Sequence, residues 1–218
     1  MISEKNNDWG GNRRKNIRRP LLENILILTD GKCTEVNYFK GLKSTLPLDI
    51  ARKIRIKVIG SIATKDLITK AIYYRAHEAQ NCEIWLILDR DMVPKFNNLV
   101  DNAEKDDFKV GWSNPCIEVW FKFYFCKSSK IFATPQECIN DFSSIFLSRV
   151  NKKYRKNDKK IYNILNDNGN QKEAIEFACK AHNHQKKNFN GKINCEKAST
   201  CTTVYLLVKK IMNCINKE

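Results

Sequence analysis

Glu83-Ile84-Trp85-Leu86-Ile87-Leu88-Asp89-Arg90-Asp91 is the stretch from which the fold of this chain is read. Residues 84–88 are all apolar, as in a strand buried on both faces at the middle of a parallel sheet. The run ends in two carboxylates that flank one arginine. Ligands of open α/β sheets sit at the carboxyl ends of the strands. Residues i and i+2 share a side of a strand, so Asp89 and Asp91 converge on one point if the extended geometry continues through them. Two hard oxygen donors at such an end suit Mg²⁺ or Mn²⁺. The plainer reading is an acidic surface turn, although a turn without glycine rarely follows so apolar a strand.

Working outward, residues 24–29 give a second buried strand that runs into Asp30-Gly31, and 34–43 read as a helix. Gly31 allows a tight strand-to-helix turn, Thr34 is a candidate cap, and Glu35 falls in the first helical turn. Asp30 stands at a strand's carboxyl end, as Asp89 does. Lys32 beside a helix start is a candidate phosphate contact. Residues 53–59 alternate charged and apolar, as in a strand near the sheet edge. Residues 64–80 carry an apolar stripe at helical spacing, and His77 on that helix reads as a surface or internally satisfied residue. A helix over 94–106, a strand over 108–112 and an apolar helix over 116–125 follow. That last helix holds one acid, Glu118. A lone carboxylate among Ile117, Val119, Trp120 and Phe121 is costly to bury unpaired; a metal or a basic partner would explain it, and so would a place on the helix's one exposed edge.

Residues 21–126 thus predict a compact α/β domain with a mostly parallel, four-stranded sheet and flanking helices. Residues 127–218 predict a basic helical region packed on it, with helices over 135–150, 159–166, 171–184 and 202–215. Thr134, Asp158 and Thr200 are their candidate caps. Residues 1–20 read as a basic, flexible arm in which Arg13, Arg14, Lys15, Arg18 and Arg19 are further phosphate candidates. His182 and His184, two apart, point to different faces of a helix and are no metal site.

Charge is unevenly spread along the 218 residues, whose formal net charge is +15. Residues 81–120 carry four basic and eight acidic side chains; residues 121–218 carry nineteen basic and eight acidic. An acidic centre beside basic ends suits a metal site next to a polyanion track. The densest basic run contains Lys152, Lys153, Tyr154, Arg155, Lys156 and Lys159, which could hold phosphates and, through Tyr154, stack a base. A solvated surface explains the same run. The nine cysteines form no CxxC, so neither a disulfide framework nor a zinc ribbon is supported, and reduced thiols in a cytoplasmic protein are expected. No apolar run reaches membrane-spanning length, and no secretory leader is recognised.

Several stretches together resemble the RloB-like family, bacterial proteins with a Toprim-like fold encoded beside restriction–modification and abortive-infection genes. Thr29-Asp30-Gly31-Lys32-Cys33-Thr34-Glu35-Val36-Asn37-Tyr38-Phe39 is similar to its first motif, with Asp30 where the family has glutamate and Val36 where it has proline. Asp89-Arg90-Asp91 matches its aspartate pair, and Asn114-Pro115-Cys116-Ile117-Glu118-Val119-Trp120 its third motif. Lys152 to Lys160 and Ala198 to Val204 resemble later ones, so the resemblance covers about residues 22–210. It implies a Toprim-like sheet in which Asp89 and Asp91 bind Mg²⁺, an acid at the first strand end (Asp30) is a metal ligand or acid/base, and Glu35 and Glu118 are further acids of a nuclease site.

The expected function is a Mg²⁺- or Mn²⁺-dependent nuclease of RNA, tRNA included, or DNA, acting in anti-phage defence. Asp30, Glu35 and Asp89 are its candidate catalytic residues and Asp30, Asp89, Asp91 and Glu118 its candidate metal ligands. Lys32, Arg90 and the 152–159 run are candidate nucleic-acid contacts. A non-catalytic subunit of a complex with a partner ATPase is the second reading, since the chain lacks the G-x-x-x-x-G-K-[ST] loop. A haloacid-dehalogenase-like phosphatase with Asp89 as nucleophile is the third. Homo-oligomers are compatible with all three.

Overall fold

The computed structural model describes residues 23–215 apart from 92, 190 and 192; the basic arm over 1–20 lies outside the described residues. Its order is β1 (Glu23–Thr29), α1 (Thr34–Ser44), α2 (Leu48–Lys53), β2 (Ile54–Ile59), α3 (Leu67–His77), β3 (Glu83–Asp89), α4 (Phe96–Lys105), β4 (Lys109–Asn114), α5 (Glu118–Phe123), α6 (Pro135–Val150), α7 (Ile161–Asn168), α8 (Gln171–Asn188), β5 (Cys201–Thr202) and α9 (Val204–Ile215). One sheet runs β2-β1-β3-β4-β5. The first four strands are parallel and β5 is antiparallel to β4.

The apolar run of β3 takes the middle of the sheet, and the alternating β2 takes one edge. Because side chains of a strand alternate faces, the two buried strands supply two cores. Ile25, Ile27, Trp85 and Ile87 face a large core built with α1, α2 and α5 to α9. Leu26, Leu28, Ile84, Leu86 and Leu88 face a smaller one closed by α3, α4 and residues 193–201. The larger core mixes Phe142, Phe146, Leu165 and Leu207 with Tyr38, Trp120 and Phe121, so the chain after residue 126 completes the burial of the chain before it.

The structure corrects several expectations. The sheet has five strands, because Cys201–Thr202 adds to β4. Two residues are too short for a periodic signal; hydroxyl groups hold them instead. Thr203 bonds the Trp112 amide and the Val110 carbonyl, and Thr202 bonds the Trp112 carbonyl and the Ser113 hydroxyl. Residues 48–53 form α2, so Lys53 ends a helix rather than starting a strand. The helix expected over 64–80 divides into a 3-10 turn at Thr64–Asp66 and α3. Of the candidate caps, Thr134 accepts the Glu137 amide as expected. Thr34 instead enters α1, behind Cys33, and its hydroxyl is used elsewhere. Asp158 accepts the Lys160 amide one residue ahead of α7. Thr200 has a positive φ of 53° and donates to the Lys130 carbonyl.

Candidate active site

Four acids meet where β1 and β3 end side by side. Thr29 pairs with Ile87 in the parallel register, so the residues after each strand emerge together at the carboxyl edge. There Asp30, Glu35, Asp89 and Asp91 line a cleft of about 390 Å³ with Lys32, Thr64 and Lys156. Asp30 accepts a hydrogen bond of 3.0 Å from Thr64, which the end of β2 brings across. Gly31 leaves room for Glu35: a methyl group there would lie 1.4 Å from Glu35 Oε2, so a larger residue would push aside the carboxylate that folds back over the turn. The Ser61 amide donates to the Gly31 carbonyl at 3.0 Å and locks the turns after β1 and β2 together.

Asp91 reaches the cleft by a route the sequence does not suggest. The strand ends at Asp89. The Arg90 amide donates to Ser113 O and the Asp91 amide to Pro115 O, so the chain turns onto the end of β4. Asp91 has φ 39°, which breaks the i, i+2 alternation. It therefore lines the cleft from a turn and is more exposed than Asp89. Arg90 Nη1 donates to the Asp91 carbonyl and holds that turn.

Glu118 lies behind the cleft in the first turn of α5, 1% exposed. The expectation of a partnered, buried carboxylate holds, and the exposed-edge reading does not. Tyr154 donates to Glu118 Oε1 at 2.9 Å. Lys156 Nζ stands 3.7 Å from the same oxygen. Both partners come from the basic run, here the connection between α6 and α7. Its backbone is tied down by Thr34, whose hydroxyl donates to Lys156 O at 3.0 Å.

This arrangement revises two nucleic-acid candidates. Tyr154 is no platform for a base: its ring packs on Phe142 and Phe146 and its hydroxyl is fixed on Glu118. Lys156 belongs to the acid cleft rather than to an outlying track. Lys152, Lys153, Arg155 and Lys159 are exposed on the same connection, and Lys32 is exposed at the mouth of the cleft. Thr64 escaped the sequence reading and Thr34 entered it only as a helix cap, since neither hydroxyl has a distinctive neighbour in sequence. Among the histidines, His77 packs at a tilt against the Tyr73 ring and His182 bonds Tyr205. All nine cysteines are free.

Crowding of like charge away from water dominates the electrostatics. Burial pushes Asp30 up to about 6; the Thr64 hydrogen bond opposes this and Asp91 adds to it. Burial raises Glu35 to about 7, with Asp30 and Glu118 contributing. Asp89 is raised well above the carboxylate range by burial and then by Glu35, Asp30, Glu118 and Asp91. Asp91 is raised by burial, against the pull of Lys156. For Lys156 burial acts downward, but Glu118 and its neighbours outweigh it and the net shift is upward. Asp89 Oδ1 and Glu118 Oε2 are buried without a hydrogen-bond partner. Such atoms cost about 1–3 kcal/mol each, and more when charged.

The donors fit a hard divalent cation in kind: they are all carboxylate oxygens, two of them unpartnered, in a cluster whose repulsion a cation would relieve. Among the described residues no three His, Cys, Asp or Glu side chains already stand together in ligating geometry, so the carboxylates would have to turn toward one another to share an ion. No helix among the described residues is long and apolar enough to cross a membrane. No curated protein and no solved structure matches the chain significantly. The match that exists follows the site: the model of the RloB-like protein family spans residues 25–211, from β1 through the acid cleft, the Lys156 connection and the β5 edge into α9, and the chain belongs to the RloB-like family.

Proposed function

We propose that this chain is a metal-dependent nuclease, in a Toprim-like arrangement, that cleaves phosphodiester bonds of RNA or DNA as a bacterial defence effector. The observation that carries this reading is the cluster of desolvated carboxylates at the strand ends, with buried unpartnered oxygens on Asp89 and Glu118, beside a lysine held in place by the basic connection. Buried charges in structural roles are paired. Here the acids face one another, as groups do that await a cation and a polyanion.

Asp89, Asp91 and Glu118 would hold Mg²⁺ or Mn²⁺, with Asp30 at the edge of the set. Bound there, the ion polarises a phosphoryl oxygen and lowers the pKa of water. Lys156, at the cleft wall, meets a non-bridging phosphate oxygen. Glu35, which lines the cleft and is left outside the ligand set, takes a proton from the attacking water. Tyr154 keeps Glu118 oriented. Lys152, Lys153, Arg155 and Lys159 hold the backbone on either side of the bond to be cut.

The test is cleavage of labelled RNA and DNA against Mn²⁺ concentration for the wild type and Asp89→Asn. The substitution keeps size and removes charge. Activity is expected to fall by more than the roughly 10–100-fold that loss of an outer-shell partner costs, with nucleic-acid affinity largely kept. Cleavage at the wild-type rate by Asp89→Asn would exclude the metal-nuclease reading.

A further inference from the structure

Lys152, Lys153, Arg155 and Lys159 lie on one side of the acid cleft, on the connection tied to α1 and α5, two helices of the large core. The face of the smaller core carries a second group of lysines, brought together from three separate stretches of the chain.

Their place follows from hydrogen bonds at the carboxyl edge of the sheet. Asn114 ends β4 there, and its Nδ2 donates to the carbonyls of Cys195 at 2.7 Å and Glu196 at 3.1 Å. Asn97, in the first turn of α4, donates its amide to Glu196 Oε1 at 3.1 Å and its Nδ2 to Asn194 Oδ1 at 3.0 Å. Lys95, two residues before Asn97, and Lys197, one after Glu196, therefore flank one fixed junction beside the ends of β3 and β4. From β5, α9 runs back to the amino edge, where Lys210 meets Glu83 at 3.2 Å. Helix α8 runs the other way: Ile175 shares a cavity wall with Met212, late in α9, and His182 bonds Tyr205 at its start. Lys186 and Lys187, about one turn beyond His182, thus emerge toward the carboxyl edge on the β5 side.

All four lysines are exposed, and among the described residues none forms an ion pair. The acid of the segment, Glu196, is engaged on the Asn97 amide. The ends of β1 and β4 are two strand spacings apart, about 10 Å, with the acid cleft opening between β1 and β3. A phosphodiester chain crossing that cluster of carboxylates is repelled unless cations hold it on both sides. We propose that Lys95, Lys186, Lys187 and Lys197 form the second half of a nucleic-acid footprint. One strand then crosses the carboxyl edge from the 152–159 connection, over the acid cleft, to the junction of α4 with residues 194–197. This footprint rests on the nuclease reading of the cleft and extends it.

The experiment is fluorescence anisotropy of the full chain with labelled single-stranded RNA and DNA of about 20 nucleotides, longer than the roughly 4–16 of a single-strand site. EDTA is present throughout, so that cleavage plays no part, and salt runs from about 50 to 200 mM. The wild type is expected to bind one oligonucleotide per chain. Lys95→Asn/Lys186→Gln/Lys187→Gln/Lys197→Gln should reduce the slope of log affinity against log salt by about 1.4–2.8, or about 0.7 for each of two to four lost contacts. Asparagine suits the left-handed backbone at Lys95, where φ is 55°. Lys43→Gln/Lys105→Gln/Lys172→Gln/Lys209→Gln removes the same charge from helix positions away from that edge, and should change the slope by less than about 0.7. Equal reduction by the two variants overturns the proposal, because it would mean general attraction to a basic protein. So does a slope that the first variant leaves unchanged for both RNA and DNA, which would make these lysines a solvated face. So does binding of two oligonucleotides per chain of which that variant loses one, the mark of a separate site. An oligonucleotide that needs both flanks for binding and yet stays intact with Mn²⁺ supports the footprint and overturns only the nuclease reading.

Discussion

Helix α5 buries two charges four residues apart, Glu118 and Lys122, each 1% exposed. Lys122 is fully provided for: Asp141 accepts from it at 2.7 Å, Lys130 joins the same carboxylate, and the ammonium sits 4.7 Å from the centre of the Phe132 ring. Glu118 shares one oxygen with Tyr154 and Lys156 and leaves the other without a partner, in sight of three more acids, Glu35, Asp89 and Asp91. The titration behaviour of the two surroundings differs in sign. Although burial acts upward on Asp141, its two lysines outweigh it and hold its carboxyl below the usual range. Asp30, Glu35 and Asp89 are all raised. One pocket of charge is complete within the chain and supports the fold; the other is held open at a cost in stability and marks the candidate site.

The sharpest test of the completed pair is Asp141→Asn. It leaves Lys122 buried with no carboxylate, which costs about 3–5 kcal/mol and lowers Tm by roughly 6–20 °C in a chain of this size, measurable by calorimetric melting. A loss under about 1 kcal/mol would put the pair among surface ion pairs and erase the contrast.

Tyr154→Phe tests the incomplete pocket through its positioning residue. The ring keeps its packing on Phe142 and Phe146, while Glu118 loses its hydrogen bond. Metal affinity in the cleavage assay should fall roughly 10–100-fold, with Tm little changed. A base-stacking role would instead leave metal dependence untouched and weaken nucleic-acid binding.

The pH dependence of the metal-free protein sharpens the comparison further. Acids raised in the folded state bind more protons there than in the unfolded chain between about pH 4 and 7, so stability is fullest below that window and falls as pH rises through it. Asp141 works the other way: its contribution is present above the unfolded carboxylate pKa and is lost as acid protonates the folded form. Tm measured without metal should therefore peak on the acid side of neutrality. Asp89→Asn should flatten its alkaline limb. A Tm that rises from pH 5 to 7.5 would contradict the desolvated-acid picture.

The smallest expected effect belongs to the exposed cations. Replacing Lys152, Lys153, Arg155 and Lys159 by alanine, with Lys156 kept, should reduce the slope of log affinity against log salt by about 0.7–0.9 for each phosphate no longer neutralised. An unchanged slope assigns those four to a solvated face and leaves Lys156 as the connection's remaining candidate for a phosphate contact.

The sequence by itself determined the sheet's centre and edge, the strand ends bearing Asp30 and Asp89, and the family to which the chain belongs. These are local properties: a strand buried on both faces must be apolar along its length, an edge strand must alternate, and a parallel sheet presents its residues at the carboxyl ends. Tertiary structure decided the rest. It placed Asp91 in a turn, because amides after β3 find acceptors at Ser113 and Pro115 rather than in a continuing strand. It made β5 from two threonine-flanked residues whose partners lie about ninety positions away. It folded the connection after α6 onto α1 through Thr34 and Lys156, 122 residues apart, turning Tyr154 from a surface aromatic into a support for Glu118. Pairings at such separations depend on where two surfaces meet after the core has formed, and no periodicity or spacing within either segment records them.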